Sequence, residues 1–214
     1  NETLLLAAGE TLHLDHARHG CRCWLAVRGG VAVALVLGSR STFLPGAFGG
    51  YAGRALRTGD HLVLDVAARE VRLRRGRPPL RDATAPLRVV AGPQAGQFDD
   101  AGLAAFFGGA YRVEAASDRR GVRLGGPAAS HAPGEMPSQG VLPGAIQVPP
   151  DGQPIILGWD GPVTGGYPAI ATVIGADWPR LAQLRPGDVV RFATIGVEGA
   201  RELALEEWDI RELG

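Results

Sequence analysis

Short apolar runs, repeatedly broken by glycine and proline, are the feature that most limits the possible folds of this chain. Glycine (32) and proline (16) make up about 22% of the 214 residues, below the roughly 25–30% typical of disordered low-complexity chains. Glycine adopts the positive φ that tight turns need, and each strand between two turns buries one face. The spacing therefore predicts a mainly β protein, a sandwich or a barrel, with a few short helices.

The first third of the chain contains six runs rich in valine and leucine that predict strands. They are residues 4–7, 11–14, 23–28, 32–37, 61–66 and 71–74. An irregular segment, 38–53, interrupts them, and its length inside a compact domain favours a functional loop over a linker. Residues 75–85 contain two consecutive prolines and three arginines without an apolar period. We expect a linker there, because Pro-Pro stops both helix and sheet.

A domain boundary near residue 80 follows from that linker. Residues 1–80 are predicted to be the remainder of an N-terminal β domain whose first portion precedes Asn1, and residues 81–214 a C-terminal β-barrel domain. In the second domain, strands are expected at 87–91, 111–115, 122–124, 145–148, 155–158, 170–174 and 189–193. Helices are expected at 99–106, 178–184 and 199–212, the first capped by Asp99 or Asp100 and the second by Asp177.

The charged residues exclude several functions. Acidic and basic residues balance at 22 each, so no net field attracts the chain to nucleic acid or an anionic membrane. Every basic residue is arginine, and a chain without lysine cannot form a Schiff base, a Walker-type phosphate site or a biotinyl-lysine. No apolar run approaches the roughly 20 residues of a membrane span. With only two cysteines, we expect a cytoplasmic protein.

The sequence contains residues that could bind a metal or form a hydrolase triad, but it lacks the sequence motifs typical of either site. His16, His19, Cys21 and Cys23 are close in sequence, yet structural zinc normally requires C-x2–4-C spacing and a second ligand pair. We therefore predict no metal site. Neither G-x-S-x-G nor G-x-x-x-x-G-K-[ST] occurs, so a serine hydrolase or a P-loop is unsupported.

Two stretches contain more polar residues, glycines and prolines than packing of a β domain requires. In the first, Arg40 stands between Ser39 and Ser41 at a strand end, which suits a carboxylate or phosphate held by charge-assisted bonds. A surface turn is the alternative. The second, 134–172, combines paired glycines and prolines with polar groups, including Gln147 inside a strand-like run. A set of tight β-turns is the alternative there.

Several motifs in these stretches identify a family resemblance. GSRST, FGG and GRAL are followed in order by SDRRGVRL, GEM-x-SQG, PGAIQVPPDGQPI, TGGYPAIATVI and LAQLRPGD. Together they resemble the family of biotin-dependent carboxyltransferases, allophanate hydrolase subunit 2 and the C subunit of 5-oxoprolinase. The resemblance covers nearly the whole chain. It implies cyclophilin-like β-barrel domains and an active site in a cleft shared with a related partner subunit.

The resemblance also implies which residues act. Arg40, Ser138, Gln147 and Tyr167 are the implied catalytic residues. Substrate-binding residues are implied at Ser39, Ser41, Glu135, Gln139 and Thr164. All of these residues except Glu135 and Gln139 suit donation to a developing oxyanion. Three features depart from the family pattern: Gln139 stands where an acidic residue is usual, Arg120 where methionine is usual, and the segment 159–163 is less polar.

The implied function is that of a subunit of an ATP-dependent complex that hydrolyses the lactam 5-oxo-L-proline to L-glutamate, active only with its partners. These are expected to be a related β-barrel subunit and an amidohydrolase-type subunit, with ATP, together with Mg²⁺, bound with the partner. One alternative is a carboxyltransferase moving a carboxyl group from biotin, carried elsewhere, to urea or a similar small amide. Another is a non-catalytic regulator that binds a kinase-inhibitor protein.

Overall fold

The computed structural model describes residues 3–65, 85–131 and 136–212, with side chains up to residue 206. The chain divides into two compact units. Unit 1 comprises Asn1–Asp15 and Cys23–Pro79, and unit 2 comprises His16–Arg22 and Leu80–Gly214. The predicted boundary near residue 80 and the predicted linker up to residue 84 lie outside the described residues. The inclusion of 16–22 in unit 2 was not predicted.

Unit 1 contains little regular structure in its described residues. Its strands are β1 (Thr42–Phe43) and β2 (Phe48–Gly49), an antiparallel pair joined by a 3-10 turn at Leu44–Gly46. The strands predicted at 4–7, 11–14, 23–28, 32–37 and 61–65 are therefore wrong, and 66 and 71–74 lie outside the described residues. Val31 and Leu64 form one isolated bridge.

The failed strand predictions have a physical reason. A strand is stable only when its backbone groups pair with a neighbour and one face is buried. In unit 1 the apolar pattern is present, but Leu5, Trp24 and Leu37 are 80%, 75% and 93% exposed. No ladder partner for these runs lies among residues 3–65 beyond the isolated bridges. The apolar runs alone therefore could not determine the structure.

The segment 38–53, predicted to be an irregular functional loop, contains β1 and β2 instead and is tightly folded. Gly50 and Gly53 have φ of 52° and 67°, the region that L side chains rarely adopt. A Cβ on Gly53 would lie 2.1 Å from the carbonyl oxygen of Ala47. Just after it, Arg54 makes two 2.8 Å bonds to Asp60, which lower the pKa of Asp60 to about 2.

Unit 2 is a nearly closed β-barrel, which confirms the mainly β fold expected from the sequence. Its strands are β3 (Leu87–Ala91), β4 (Tyr111–Val113), β5 (Gly121–Gly125), β6 (Gln139–Gly140), β7 (Ala145–Gln147), β8 (Ile155–Leu157), β9 (Thr164–Gly165), β10 (Ala169–Val173), β11 (Val189–Val190) and β12 (Phe192–Thr194). Eight of them form one sheet in the order β11-β4-β5-β8-β7-β10-β3-β12, and β6 pairs separately with β9.

A single residue joins the two edges of this sheet. β11 and β12 are separated only by Arg191, yet β11 pairs with β4 at one edge and β12 pairs in parallel with β3 at the other. The predicted strand 189–193 is therefore two strands, which pair at opposite edges of the sheet. This arrangement removes most of the exposed sheet edge, which otherwise invites aggregation.

The core fills the barrel with apolar side chains from alternate strand positions. Three of its aromatic side chains, Phe106, Tyr111 and Phe192, pack together, and Phe106 and Phe192 stack with centroids 4.4 Å apart. The Tyr111 hydroxyl donates to the carbonyl oxygen of Pro127 at 2.9 Å, so its burial leaves no unpaired polar group. Burial raises the pKa of Tyr111 to about 12.

Among the described residues three α-helices accompany the barrel: α1 (Asp100–Gly108), α2 (Trp178–Leu181) and α3 (Val197–Glu212). As predicted, Asp99 caps α1, its carboxylate accepting from the Gly102 amide at 2.6 Å. α2 is shorter than predicted and Asp177 does not cap it. The predicted terminal helix is confirmed. No helix in the described part of the chain combines the length and apolarity required to cross a membrane.

Asp177 is instead used in a buried ion pair. Its carboxylate accepts from the main-chain amide of Arg88 at 2.6 Å and from the Arg88 guanidinium at 2.6 Å, while the residue is 3% exposed. Burial alone would raise the pKa of Asp177, but the hydrogen bonds and charge of Arg88 outweigh it and lower the pKa. The pair ties β3 to the turn before α2.

Candidate functional site

The candidate site of unit 2 is built on the ribbon, which we define as the paired strands β6 and β9. In this ribbon Gln139 is opposite Gly165 and Gly140 is opposite Thr164. The pairing joins the SQG motif to the TGGYP motif, which are 24 or more residues apart in sequence. Two of the predicted site residues, Gln139 and Thr164, therefore lie on directly paired strands.

Gln147 lies beneath this ribbon. It is one of the two buried polar residues among the described side chains, with 4% exposure, and its Nε2 donates to the carbonyl oxygen of Tyr167 at 3.2 Å. A Cβ on Gly165 would lie 2.5 Å from Gln147 Nε2. Because Gly165 has no side chain, the β9 backbone packs directly against the side-chain amide of Gln147. Through its bond to Tyr167, Gln147 links the TGGYP segment to β7.

Ser138 approaches the same segment from the other strand. A Cβ on Gly166 would lie 3.2 Å from the carbonyl oxygen of Met136 and 3.7 Å from Ser138 Oγ. The second glycine of TGGYP therefore allows the segment before β6 to come close. Glu135, the remaining predicted site residue of this region, lies outside the described residues.

The structure thus brings together five predicted site residues in unit 2. They are Ser138, Gln139, Gln147, Thr164 and Tyr167. Ser138 and Thr164 are exposed, and Tyr167 is 45% exposed, so three residues that carry hydroxyl groups lie at the surface. Gln147 is buried and already donates to the protein. Hydroxyl donors over a buried amide can bind a carbonyl oxygen or an oxyanion.

Arg40, Ser39 and Ser41 belong to unit 1. Arg40 Nη2 pairs with Asp65 Oδ2 at 3.0 Å, and both side chains are about half exposed at 44% and 46%. Ser39 Oγ accepts from the Ser41 amide at 3.0 Å. The pairing with Asp65 was not predicted, since 25 residues separate the two groups. An exposed pair of this kind contributes only about 0–1 kcal/mol, so Arg40 can exchange its partner for an anion.

A second set of contacts in unit 2 was also missed. Gln183 Oε1 accepts from the amides of Cys21 and Arg22 at 2.9 and 3.0 Å, and Nε2 donates to the Arg22 carbonyl at 3.0 Å. A glutamine in a polar turn gives no sequence signal for such a contact. Cys21 and Cys23 are exposed free thiols. Within the described ranges, no group of three or more His, Cys, Asp and Glu could hold a metal ion.

The segment that departs from the family pattern is held in place at its start. Asp160 pairs with Arg119 at 2.5 Å, and the Gly158 amide donates to the Arg120 carbonyl at 2.8 Å. Trp159 is 74% exposed, and its ring lies 4.9 Å from that of Trp178. The sequence identified the segment as unusual but did not predict these contacts.

Comparison with known proteins gives a consistent result. The family model "Carboxyltransferase domain, subdomain A and B" matches residues 1–194. The chain is 39% identical over 198 residues to the C subunit of 5-oxoprolinase from Escherichia coli strain K12, covering 92% of this chain and 64% of that protein. It is 35% identical over 200 residues to the Haemophilus influenzae protein of the same name, covering 92% and 63%.

A solved structure agrees with these sequence matches. The structure of K. lactis urea amidolyase superposes with a TM-score of 0.74 at 32% identity, covering 86% of this chain and 12% of that one. The chain spans less than two thirds of the length of the bacterial relatives named above. On the family model and the sequence identities together, the chain belongs to the carboxyltransferase domain, subdomain A and B, family.

Proposed function

We propose that this chain is a subunit of an ATP-dependent complex that hydrolyses the lactam 5-oxo-L-proline to L-glutamate. The single observation that carries the proposal is the pairing of β6 with β9, which brings the SQG and TGGYP motifs, and with them the hydroxyl-bearing residues Ser138, Thr164 and Tyr167, together beside Gln147. The names of the bacterial relatives, which are subunits of 5-oxoprolinase, support this choice of substrate.

In the proposed reaction, the three hydroxyls donate to the lactam oxygen as negative charge develops on it. Donors already held in position lower the barrier because they need not reorganise during the reaction. Gln147 acts as a positioning residue, since its amide donates to the Tyr167 carbonyl and fixes the loop that carries the tyrosine. Gln139 cannot accept a proton at neutral pH, so a group other than this side chain must act as the general base.

Arg40, in unit 1, is proposed to be an anion-binding residue. Its exposed pairing with Asp65 is weak enough to be replaced by a bidentate bond to a carboxylate or phosphate. Ser39 and Ser41 flank the guanidinium in sequence and would accept or donate alongside it. Glu135 is proposed to contact the substrate from the segment before β6.

ATP, together with Mg²⁺, is proposed to bind with the partner subunit rather than to the described residues of this chain alone. Among those residues no cluster of three or more metal-binding side chains is present, and the sequence has no lysine for a phosphate. The proposal therefore assigns ATP to a site held with the partner subunit, where its hydrolysis supplies the free energy for ring opening. Covalent biotin cannot be carried here, because it is attached to lysine.

Carboxyl transfer from biotin to a small amide is the second candidate function. It is favoured by the family model, which describes a carboxyltransferase domain, and by the TM-score of 0.74 to urea amidolyase. The same hydroxyl donors would then stabilise charge on the amide acceptor and on the carboxyl group in transit.

The two functions are separated by one reconstitution. The full-length chain is combined with a related β-barrel subunit and an amidohydrolase-type subunit, and ATP-dependent glutamate release from 5-oxoproline is measured beside biotin-dependent carboxylation of urea. We expect glutamate release. Urea carboxylation without glutamate release would instead establish the second function, and neither activity would reject both.

Arg40→Ala is the variant that tests the anion-binding role, with Arg57→Ala, another exposed arginine of unit 1, as its control. We expect Arg40→Ala to lose most of the activity of the complex and Arg57→Ala to keep it. Equal rates for the two variants would remove Arg40 from the site.

A further inference from the structure

The pairing of β10 with β3 ends close to the TGGYP motif. The register of β10 against β3 stops at Ala91, and Pro93, two residues later, has no main-chain N–H to donate. Ala169, the first residue of β10 and the second after Tyr167, is only 4% exposed. Because a buried backbone group without a hydrogen bond is costly, Ala169 requires another partner on the β3 side.

The side chain of Gln94 supplies that partner. Gln94 Oε1 accepts from the Ala169 amide at 3.1 Å, and the Gln94 amide donates to the Ala169 carbonyl oxygen at 3.3 Å. These two bonds reproduce the exchange made by a hydrogen-bonded residue pair of an antiparallel sheet, with a side-chain oxygen in place of a main-chain carbonyl. A Cβ on Gly92 would lie 2.2 Å from the Ala169 carbonyl oxygen, so the lack of a side chain at Gly92 permits this close approach.

Regular strand pairing on the other side of β10 does not fix this end by itself. The register of β10 against β7 shifts between Ala169 and Ala171. Beyond the shift, the Val148 amide donates to the Pro168 carbonyl oxygen at 3.0 Å, and Gln147 bonds to the carbonyl oxygen of Tyr167 as described above. The two glycines before Tyr167 restrict the backbone little. The main chain at 167–169 therefore depends on bonds from both sides, and Gln94 makes those on the β3 side.

We propose that Gln94 is a second positioning residue of the site, which holds the main chain after Tyr167 so that the Tyr167 hydroxyl keeps its place. This inference rests on the proposed function, in which that hydroxyl donates to the lactam oxygen. Gln94 acts only through Tyr167 and does not contact the substrate. Without the Gln94 acceptor the Ala169 amide loses its bond, and the tyrosine moves with the backbone. A misplacement of about 1 Å can cost about 100-fold in rate.

Two substitutions separate the acceptor of Gln94 from its size. Gln94→Met keeps an unbranched side chain but removes the amide oxygen, whereas Gln94→Glu keeps an oxygen that can accept from the Ala169 amide. Both are made in the wild-type chain and in Tyr167→Phe. Gln183→Met is the matched control, because Gln183 Oε1 also accepts from main-chain amides but the residue follows α2, beyond the other end of β10.

The kinetic test measures kcat and KM for ATP-dependent glutamate release from 5-oxoproline in the reconstituted complex of the full-length chain. We expect Gln94→Met to lower kcat by about 10- to 100-fold, by no more than Tyr167→Phe does, and with little change in KM, because the hydroxyl acts in the transition state. Gln94→Glu should restore most of the rate. In the Tyr167→Phe background, Gln94→Met should change kcat by less than about 2-fold.

Urea unfolding of the same variants distinguishes positioning from general stability. Gln183→Met should lower stability while keeping the wild-type kcat, since its bonds lie outside the TGGYP segment. Two results would overturn the inference: Gln94→Met that loses stability but keeps kcat, or Gln94→Met that lowers kcat equally with and without the Tyr167 hydroxyl. Either result would leave Gln94 as a structural residue only.

A measurement without turnover separates this inference from the proposed function. The chain has three tyrosines, so fluorotyrosine labelling gives three ¹⁹F NMR signals, and Tyr167→Phe identifies one of them. Gln94→Met should shift or broaden the Tyr167 signal and leave that of the buried Tyr111 unchanged. If the wild-type complex releases no glutamate but the Tyr167 signal changes in this way, the positioning is right and the reaction is wrong. An unchanged Tyr167 signal overturns the inference whether or not glutamate is released.

Discussion

The close approach of Gly165 to Gln147 makes a quantitative prediction for Gly165→Ala. The new Cβ would lie 2.5 Å from Gln147 Nε2, whereas ordinary contacts begin at 3.4 Å. The amide must therefore withdraw by roughly 0.9 Å, in a residue only 4% exposed. Such a shift breaks its 3.2 Å bond to the Tyr167 carbonyl. A lost buried hydrogen bond costs about 1–3 kcal/mol, and overpacking costs about 1–3 kcal/mol.

We expect Gly165→Ala to lower the free energy of unfolding by about 2–6 kcal/mol, the sum of the two costs. Gly140→Ala is the matched control: it lies on the paired strand β6, and its Cβ would meet nothing within 4 Å. Neither glycine has a positive φ, so the entropy change of glycine to alanine is shared by both. Urea unfolding of the two variants measures the difference, and values within about 0.5 kcal/mol of each other would refute the packing argument.

Three other predictions concern substitutions of Tyr167 and Asp177. Tyr167→Phe should reduce kcat/KM of the reconstituted complex by the equivalent of about 1–3 kcal/mol if its hydroxyl donates to the transition state; an unchanged rate assigns the ring to packing. Asp177→Asn should cost about 2–4 kcal/mol of unfolding free energy, because it leaves the partly buried Arg88 without its charge partner, while Asp188→Asn in an exposed turn should cost under about 1 kcal/mol; equal losses in urea unfolding contradict this difference. Because the pKa of Asp177 is lowered in the folded state, its contribution is present above the ordinary carboxyl pKa and is lost as the pH falls through the folded pKa; Asp177→Asn should therefore show a flatter decline in stability in acid than the wild type, and parallel declines would contradict this.

The elements of unit 2 were largely predictable because their signals are local. β3 was predicted with its observed bounds, and α1 with its Asp99 cap, since the strand run and the cap each depend on a few adjacent residues. The break at Arg191 was not predictable, because it depends on which edge each half of the run pairs with. Asp177 preceded a helix, as a cap does, but a partner 89 residues away in sequence determines its role.

The site itself was predicted in part. The motifs named Ser138, Gln139, Gln147, Thr164 and Tyr167, and the structure brings these residues together. No local pattern indicated that Gln147 would be used inside the protein rather than toward a ligand, because its acceptor is a main-chain carbonyl. The partner of Arg40 was not predicted for a similar reason, because the residues around Arg40 do not indicate an ion pair with an aspartate 25 residues away.

The one-residue step at Arg191 has a consequence for how unit 2 is made. On the ribosome, β3 emerges about a hundred residues before β12, the strand beside which it finally lies. Until then the outer edges of β3 and β4 both lack a partner, and a nascent chain halted before Val189 exposes these two strand edges at once. Residues 189–194 therefore complete the pairings of β11 with β4 and of β12 with β3 at nearly the same time. We expect chaperones to retain chains that are stalled before this point.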